Sequence, residues 1–166
     1  PPRTGAQAFE AVFAFDNKGY IQRKGFSVTA NLLTRRDVFR AVGDFSPGLS
    51  EDLDWCQRAT GKGFGLVYAP LLRVGHPSRR DWAELRRKWL RLTRESFALT
   101  DRTAGARLLW AMRAALMPVS ILAHIPRVLR HPALSGRERA AALATLARLR
   151  LSRAGWMLRQ AAGLDV

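Results

Sequence analysis

The sequence predicts a mixed α/β fold over residues 1–100, followed by an α-helical C-terminal region over residues 101–166. In the first part, short apolar runs bounded by turn residues alternate with segments of helical apolar spacing, as in α/β proteins. The second part is rich in Ala and Leu and holds 11 arginines but only three acids, Asp101, Glu138 and Asp165. This change of composition places a domain boundary near residue 100.

Local patterns set the bounds of the predicted elements. Apolar residues at helical spacing predict helices over 5–15, 35–42, 51–60 and 78–97, and from residue 135 to about 160. Apolar runs predict strands over 26–34, 64–69 and 71–74. Ser78 and Ser135 each precede an acid by three residues, which is the pattern of a capping box. Pro118, Pro126 and Pro132 are expected to break the helical run.

The charge of the chain is strongly basic. Lys and Arg number 28 against 13 acids, so the net charge is +15, and the 48% apolar fraction argues against a disordered tail. Such a charge points to a polyanionic partner, which is nucleic acid, an anionic membrane surface or a phosphorylated substrate. Cys56 is the single cysteine, which excludes an intrachain disulfide and a multi-cysteine metal site. This usage is typical of a reducing compartment such as the cytoplasm.

The sequence predicts neither a signal peptide nor a membrane span. Residues 1–20 lack a charged region followed by an apolar core. The longest stretch without Lys, Arg, Asp or Glu runs over 114–126 and has 13 residues. A spanning helix needs about 20 apolar residues. The stretch therefore favours a core helix or a helix that lies in the plane of the membrane interface.

An acid cluster opens the predicted helix 51–60. Glu51, Asp52 and Asp54 fall in its first turn, where helix N-termini commonly carry acids that complement the helix dipole. Asp54 also precedes Arg58 by four residues, the spacing of a structural ion pair. The alternative is functional, because an ionised carboxylate in an enclosed site accepts a proton from an attacking hydroxyl. The Gly- and Pro-bearing loop 46–50 is then expected to deliver the acids into a cleft.

Three further residues carry a functional alternative beside a structural one. His76 follows a predicted strand and is either an ordinary histidine or one ligand of a divalent metal. Asn31 is either a turn amide that satisfies its own backbone or a hydrogen-bonding partner of a sugar hydroxyl. Trp55 is either a core residue or an apolar face beside a pyranose ring. The basic side chains of helix 78–97 form either a solvated face or a surface for phosphate or lipid headgroups.

Taken in order, these pieces resemble the C-terminal half of a family 2 glycosyltransferase domain. The resemblance spans about residues 20–95 and rests on Thr29-Ala30-Asn31-Leu32, Arg35-Arg36-Asp37-Val38-Phe39, Val42-Gly43-Asp44-Phe45, Glu51-Asp52-Leu53-Asp54, Arg58-Ala59, Gly63-Phe64, Val67-Tyr68-Ala69-Pro70 and His76. It implies a partial GT-A-type mixed sheet with flanking helices. It also implies transfer of a sugar from a nucleotide-sugar with inversion.

The resemblance assigns a role to each candidate residue. Asp52 corresponds to the general base of the family, with Glu51 beside it. His76 corresponds to a strand-end histidine that helps to hold Mg²⁺ or Mn²⁺, so a divalent metal is the expected cofactor. Asn31 corresponds to an asparagine that lines the family's substrate pocket. We expect Asp54 and Trp55, which lie on the same helix as Asp52, to complete the substrate-binding set.

The chain departs from the family pattern on the nucleotide side. The parallel nucleotide-binding strands and the Asp-x-Asp metal motif of the family's N-terminal half do not appear, and Asp52-Leu53-Asp54, which has that spacing, sits in the acceptor-side motif. We therefore expect a C-terminal part that is inactive by itself. The expected partners are a nucleotide-sugar donor and a glycan or lipid-linked acceptor at the inner face of the cell membrane. The alternative is a basic helical module that binds nucleic acid or an anionic membrane without catalysis.

Overall fold

The computed structural model describes residues 2–46, 50–101 and 103–166. Its helices are α1 (Gly5–Phe13), α2 (Asn17–Gly19), α3 (Arg36–Val42), α4 (Glu51–Gly61), α5 (Trp82–Ala98), α6 (Ala104–Leu129) and α7 (Gly136–Ala161). A π-helical turn, Tyr20–Lys24, follows α2, and a 3₁₀ turn occupies Thr29–Asn31. The chain divides into a helical unit, Pro1–Ala14 with Ser78–Val166, and a small unit, Phe15–Pro77.

The predicted mixed α/β sheet is wrong, because the described residues contain helices and turns but no strand. Residues 26–34 fold around the 3₁₀ turn, with extended backbone at Val28 and Leu32 on either side. Residues 64–74 form no ladder in the described part of the chain. A strand exists only through hydrogen bonds to a neighbouring strand, so an apolar run that finds no partner remains irregular.

The two units also divide the chain differently from the boundary near residue 100. Helix α5, which belongs to the predicted first domain, packs with α7 in the helical unit. The division into a catalytic half, 1–100, and a basic tail, 101–166, refers to function and stays a prediction.

An antiparallel pair of long helices, α6 and α7, forms the centre of the helical unit. Trp110 and Ala114 near the start of α6 pack against Met157 near the end of α7. Val128 near the end of α6 packs in a cluster with Ala142 near the start of α7. The predicted breaks at Pro118 and Pro126 are wrong, since both prolines lie inside α6. Packing along α7 therefore compensates for the backbone hydrogen bonds that proline removes.

Helices α1 and α5 also pack against α7. Phe9 of α1, Leu85 of α5 and Leu146 of α7 are buried in one cluster. A buried carboxylate joins α1 to α5, since Glu10 accepts hydrogen bonds from the Lys88 ammonium at 2.8 Å and from the Arg79 amide at 2.6 Å. A buried carboxylate is stable only when cations and donors surround it in this way.

Two tryptophans of α5, Trp82 and Trp89, are covered by arginines of α7. The Arg148 guanidinium lies 4.1 Å from the centre of the Trp82 ring, and that of Arg153 lies 4.7 Å from Trp89. Burial, with a smaller contribution from nearby Arg150, lowers the pKa of Arg153 to about 10. Planar guanidinium groups stack on indole rings, so these basic side chains contribute to the packing between α5 and α7.

Two predicted helix starts have different outcomes. Helix α5 begins at Trp82 and is capped by Asp81, whose carboxylate accepts the Glu84 amide at 2.9 Å, so the predicted cap at Ser78 is wrong. The capping box of Ser135 and Glu138 is confirmed. Asp81 suits the position because its short carboxylate reaches an amide of the first helical turn.

One helix in the described part of the chain, α6, is long and apolar enough to cross a membrane. Only 11% of its most apolar 18-residue window is buried within the protein. The 13-residue charge-free stretch therefore belongs to a longer, largely exposed apolar helix.

The Glu138 cap predicts an acid-sensitive helical unit. The Ser135 and Arg3 backbone amides, at 2.9 and 3.0 Å, are the main cause that lowers the Glu138 pKa from about 4.5 to about 2. The stability that the carboxylate adds is complete above pH 4.5 and is lost as the pH falls towards 2. We expect Glu138→Gln to lower the unfolding free energy most above pH 4.5, as measured by chemical denaturation at several pH values. An equal loss at pH 7 and pH 2.5 would contradict this assignment.

Candidate active site

The predicted acid cluster lies at the start of α4, in the small unit. Ser50 precedes the helix with φ 67° and ψ 41°, a left-handed conformation, and its side chain caps no amide. Glu51, Asp52 and Asp54 follow in the first turn, where the helix amides favour negative charge. Residues 47–49 of the predicted delivery loop lie outside the described residues.

Asp54 has a structural partner. Its carboxylate accepts the Nε–H of Arg58 at 3.0 Å, as the i,i+4 spacing predicted. The same guanidinium donates to the carbonyl oxygens of Val42 at 2.8 Å and Asp44 at 2.7 Å. Arg58 therefore fastens α4 to the end of α3, and Asp54 holds Arg58 in place.

Asp52 and Glu51 have no such partner among the described residues. Asp52 is half-buried, and its carboxylate accepts the Leu53 amide at 2.9 Å, whereas Glu51 is exposed. Among the described residues, no cation lies within ion-pair distance of either carboxylate. A carboxylate that is ionised but not paired with a cation is available to accept a substrate proton. Of the three acids, Asp52 combines this availability with partial enclosure.

Trp55 lies in the core of the small unit. Its side chain is only 2% exposed, and its indole N–H donates to the Gly43 carbonyl at 2.8 Å. The rings of Phe39 and Phe45 pack on it at 5.9 and 5.6 Å. The indole is thus enclosed by protein, and its visible role is to fix α4 against α3 and residues 43–45.

A chain of contacts connects α4 with the segment that carries Asn31. The Cys56 sulfur accepts the Ser27 amide at 3.5 Å, and the Ser27 hydroxyl donates to the Asn31 carbonyl at 3.1 Å. Burial raises the pKa of the Cys56 thiol, the Ser27 amide lowers it in part, and the negative charge of Asp52 raises it further. Asp52 precedes Cys56 by four positions in α4, so the two side chains lie on the same face of the helix.

A cavity of about 260 Å³ opens beside this segment and is lined by Asn17, Ser27 and Asn31 among others. The Asn31 amide nitrogen donates to the Leu72 carbonyl at 3.5 Å. The side-chain oxygens of Asn17 and Asn31 are buried and have no hydrogen-bond partner among the described residues. Buried acceptors in native proteins are normally satisfied, so the two oxygens suit a ligand with hydroxyl donors.

Asn17 is a candidate that the sequence did not reveal. It belongs to the Asp16-Asn17-Lys18-Gly19 sequence, which reads as a turn and gives no sign of a cavity. The tertiary structure brings Asn17 to the same cavity as Asn31, 14 positions later in the chain. The cavity volume is slightly below the range of about 300–1,000 Å³ of small-ligand sites, which suits a ligand the size of one sugar.

His76 is exposed at the end of the small unit. Its Nδ1 lies 2.9 Å from the Pro77 carbonyl, and its ring packs against Phe15 at 4.8 Å. When Nδ1 donates to that carbonyl, Nε2 of the neutral ring is left as the acceptor nitrogen. In the part of the chain that the structure describes, no three His, Cys, Asp or Glu residues gather into a metal site. His76 and its neighbours thus do not by themselves fit a divalent metal.

The comparison with known proteins agrees with the sequence resemblance. The family described as glycosyl transferase family group 2 matches residues 6–159. The chain therefore belongs to the family 2 glycosyltransferases, which confirms the resemblance stated from its motifs. No curated protein and no solved structure matches the chain.

The family match extends beyond the motifs that revealed it. Those motifs end near residue 95, whereas the match includes all of α6 and continues to residue 159 in α7. The family match therefore covers residues of both compact units. The sequence motifs by themselves indicate the family only over about residues 20–95.

The proximity of Asp52 and Cys56 predicts a shift that needs no substrate. Because the Asp52 charge disfavours the thiolate, Asp52→Asn is expected to lower the pKa of Cys56. Thiolate absorbance measured against pH reports this group alone, since Cys56 is the single cysteine. Asp54→Asn is the matched control and is expected to leave the thiol pKa in place. Equal pKa values in the wild-type and Asp52→Asn proteins would show that the two side chains are not close.

Proposed function

We propose that this chain supplies the acceptor side of an inverting family 2 glycosyltransferase, with Asp52 as its general base. Membership of the family supports glycosyl transfer in general. The observation that carries the assignment of the base is the half-buried Asp52 carboxylate at the start of α4, which no described cation neutralises.

In this mechanism the Asp52 carboxylate accepts the proton of an acceptor hydroxyl. As the O–H bond breaks, the hydroxyl oxygen forms a bond to the anomeric carbon of the donor sugar. The bond from that carbon to the nucleoside diphosphate breaks on the opposite face, and the diphosphate leaves with the electron pair. One displacement inverts the anomeric configuration, and the proton remains on Asp52. Negative charge near the sugar also favours a transition state with oxocarbenium character.

The neighbours of Asp52 hold it in position. Trp55 and Arg58 fix α4 through the carbonyls of residues 42–44, so the start of the helix has a defined place in the small unit. Catalytic groups need this kind of support, because small displacements of a base reduce the rate strongly. Asp54 supports the position of Asp52 indirectly, because it holds Arg58 in place. Glu51 is the neighbouring acid, and its variant serves as the control for Asp52.

Asn17 and Asn31 are proposed to hold a sugar. Their unpartnered side-chain oxygens lie on residues that line one cavity, and hydroxyl groups of a pyranose are suitable donors for both. The apolar members of the lining, such as Leu72, suit the C–H face of the ring. We propose a glycan or lipid-linked acceptor at the inner face of the membrane, which the basic composition supports.

The described residues define the binding of the nucleotide-sugar donor only in general terms. A nucleotide-sugar leaves a diphosphate, whose charge cations must offset. The family resemblance predicts Mg²⁺ or Mn²⁺ for this purpose, but the described residues gather no metal site, so no step is assigned to a metal. We expect these 166 residues alone to release no nucleoside diphosphate. The rival function, nucleic-acid binding, is supported by the +15 charge but leaves the acid cluster without a role.

Replacing the base tests the mechanism. In the full-length gene product, we expect Asp52→Asn to lower kcat by about 100- to 10,000-fold, the usual contribution of a general base. Donor affinity should persist, since Asp52 acts on the acceptor hydroxyl. The assay measures nucleoside diphosphate release from a panel of UDP- and GDP-sugars, with the configuration of the product determined by NMR.

Two matched control variants are needed to interpret the result for Asp52→Asn. Glu51→Gln removes the adjacent acid, and Asp37→Asn removes an exposed carboxylate at the start of α3. Both are expected to retain turnover within about tenfold of the wild type. Full turnover by Asp52→Asn, or a product with retained configuration, would overturn the proposed mechanism. Loss confined to Glu51→Gln would move the role of base to that residue.

The cavity predicts an effect on substrate affinity. Asn17→Ala and Asn31→Ala each remove one acceptor and are expected to raise the KM of one substrate by about 2- to 10-fold, the equivalent of one hydrogen bond. The kcat should change less than the KM, because neither amide acts on the transferred proton. Gln57→Ala removes an exposed amide of α4 and serves as control. Unchanged KM values in both asparagine variants would exclude the cavity as the sugar site.

A further inference from the structure

The outer side of α6 is a continuous apolar surface that the protein leaves uncovered. Seven large side chains on it are between 48% and 69% exposed, and we call them the α6 face: Leu108, Leu109, Met112, Leu116, Val119, Leu122 and Leu129. From Leu109 to Leu122 they follow at intervals of three or four residues, which places them on one side of the helix. Trp110, Ala114 and Val128, on the opposite side, are buried.

The dimensions and charges of the α6 face are those of a membrane contact. Its length from Leu108 to Leu129 is about 30 Å at the helical rise of about 1.5 Å per residue. Exposed arginines lie towards both ends, Arg107 and Arg113 at one and Arg127 and Arg130 at the other. No acid occurs between Asp101 and Glu138. An apolar strip with basic side chains and no acids is complementary to an anionic phospholipid surface.

We propose that the α6 face docks in the plane of an anionic phospholipid bilayer. Its apolar side chains enter the boundary between headgroups and acyl chains, and the arginines near its ends bind lipid phosphates. This inference deepens the membrane location proposed above. It concerns the helical unit and does not depend on the chemistry assigned to Asp52.

The contacts of α7 argue for in-plane docking and against a span. Arg150 of α7 donates to the Met117 sulfur at 3.5 Å, at the middle of α6. Arg153, on the same helix, packs on Trp89 of α5. If α6 crossed the bilayer with its packing intact, Arg150 would lie near the hydrocarbon centre, where a charged side chain is strongly disfavoured. Docking of the outer side alone keeps α7 and its arginines out of the lipid.

A second copy of the chain is a poorer occupant of the α6 face. In a twofold interface the same surface meets itself, so the arginines near the ends of one helix would approach those of the other. No acid in that stretch of α6 offsets the repulsion. Lipid phosphates provide the opposite charge that a second copy lacks.

Vesicle flotation with the purified full-length protein tests the proposal. The vesicles contain phosphatidylcholine alone or with 30% phosphatidylglycerol. We expect binding to the anionic vesicles, with an affinity at least tenfold lower in the double variant Leu116→Gln and Leu122→Gln. The control variant Leu71→Gln and Val74→Gln removes two exposed apolar side chains from the small unit and should bind like the wild type. Circular dichroism establishes that the variants are folded.

A second measurement distinguishes docking from binding by charge alone. In a Cys56→Ser background, an environment-sensitive fluorophore on Val119→Cys should shift to the blue when anionic vesicles are added. The same label on Leu71→Cys should not shift. Arg127→Gln with Arg130→Gln should weaken the preference for anionic lipid. These results together would support in-plane docking of the α6 face.

Four binding or assembly results would overturn the proposal. They are absence of vesicle binding by the wild type, equal binding by the α6 double variant, salt-sensitive binding of RNA with none of vesicles, and a lipid-free dimer that the α6 double variant abolishes. Release from membranes by detergent but not by alkaline carbonate would show a span and exclude in-plane docking. Vesicle binding is measured without substrate, so its failure is separable from a failure of the Asp52→Asn assay.

Discussion

The packing of α6 against α7 is the contact on which the helical unit depends. Helix α7 packs against α6, α1 and α5, so it joins the N-terminal residues to the rest of the unit. Its arginines stack on the tryptophans of α5 and contact the middle of α6, where neutral side chains would be expected. With the inner side of α6 committed to α7, its leucine-rich outer side is left exposed.

A second, smaller network governs the candidate active site. Trp55 and Arg58 donate to backbone carbonyls between residues 42 and 44, and Cys56 contacts Ser27. These contacts explain why three acids in one helical turn differ in character. Asp54 is held by Arg58, Glu51 faces solvent, and Asp52 is half-buried without a described cation. This difference in surroundings is the reason that we propose Asp52 as the base.

Helices were predicted from the sequence more reliably than strands because their hydrogen bonds are local. Helix α3 and helix α4 lie where apolar spacing placed them, and the capping box at Ser135 forms as its pattern indicates. The strands predicted over 26–34 and 64–74 fail because pairing is a non-local property that an apolar run does not specify. The helix breaks predicted at Pro118 and Pro126 are wrong for a related reason, since packing against α7 sustains a helix that local propensity would end.

The sequence by itself determined the family, the candidate acids and the basic character of the chain, because motif order, residue type and charge are all properties of the linear sequence. Only the tertiary structure decided that Asp54 is paired with Arg58 and Asp52 is half-buried, that Trp55 is enclosed, that Asn17 joins Asn31 at a cavity, and which side of α6 is exposed. Each of these depends on contacts between residues distant in sequence, and burial and hydrogen-bond partners are defined only once the chain is packed.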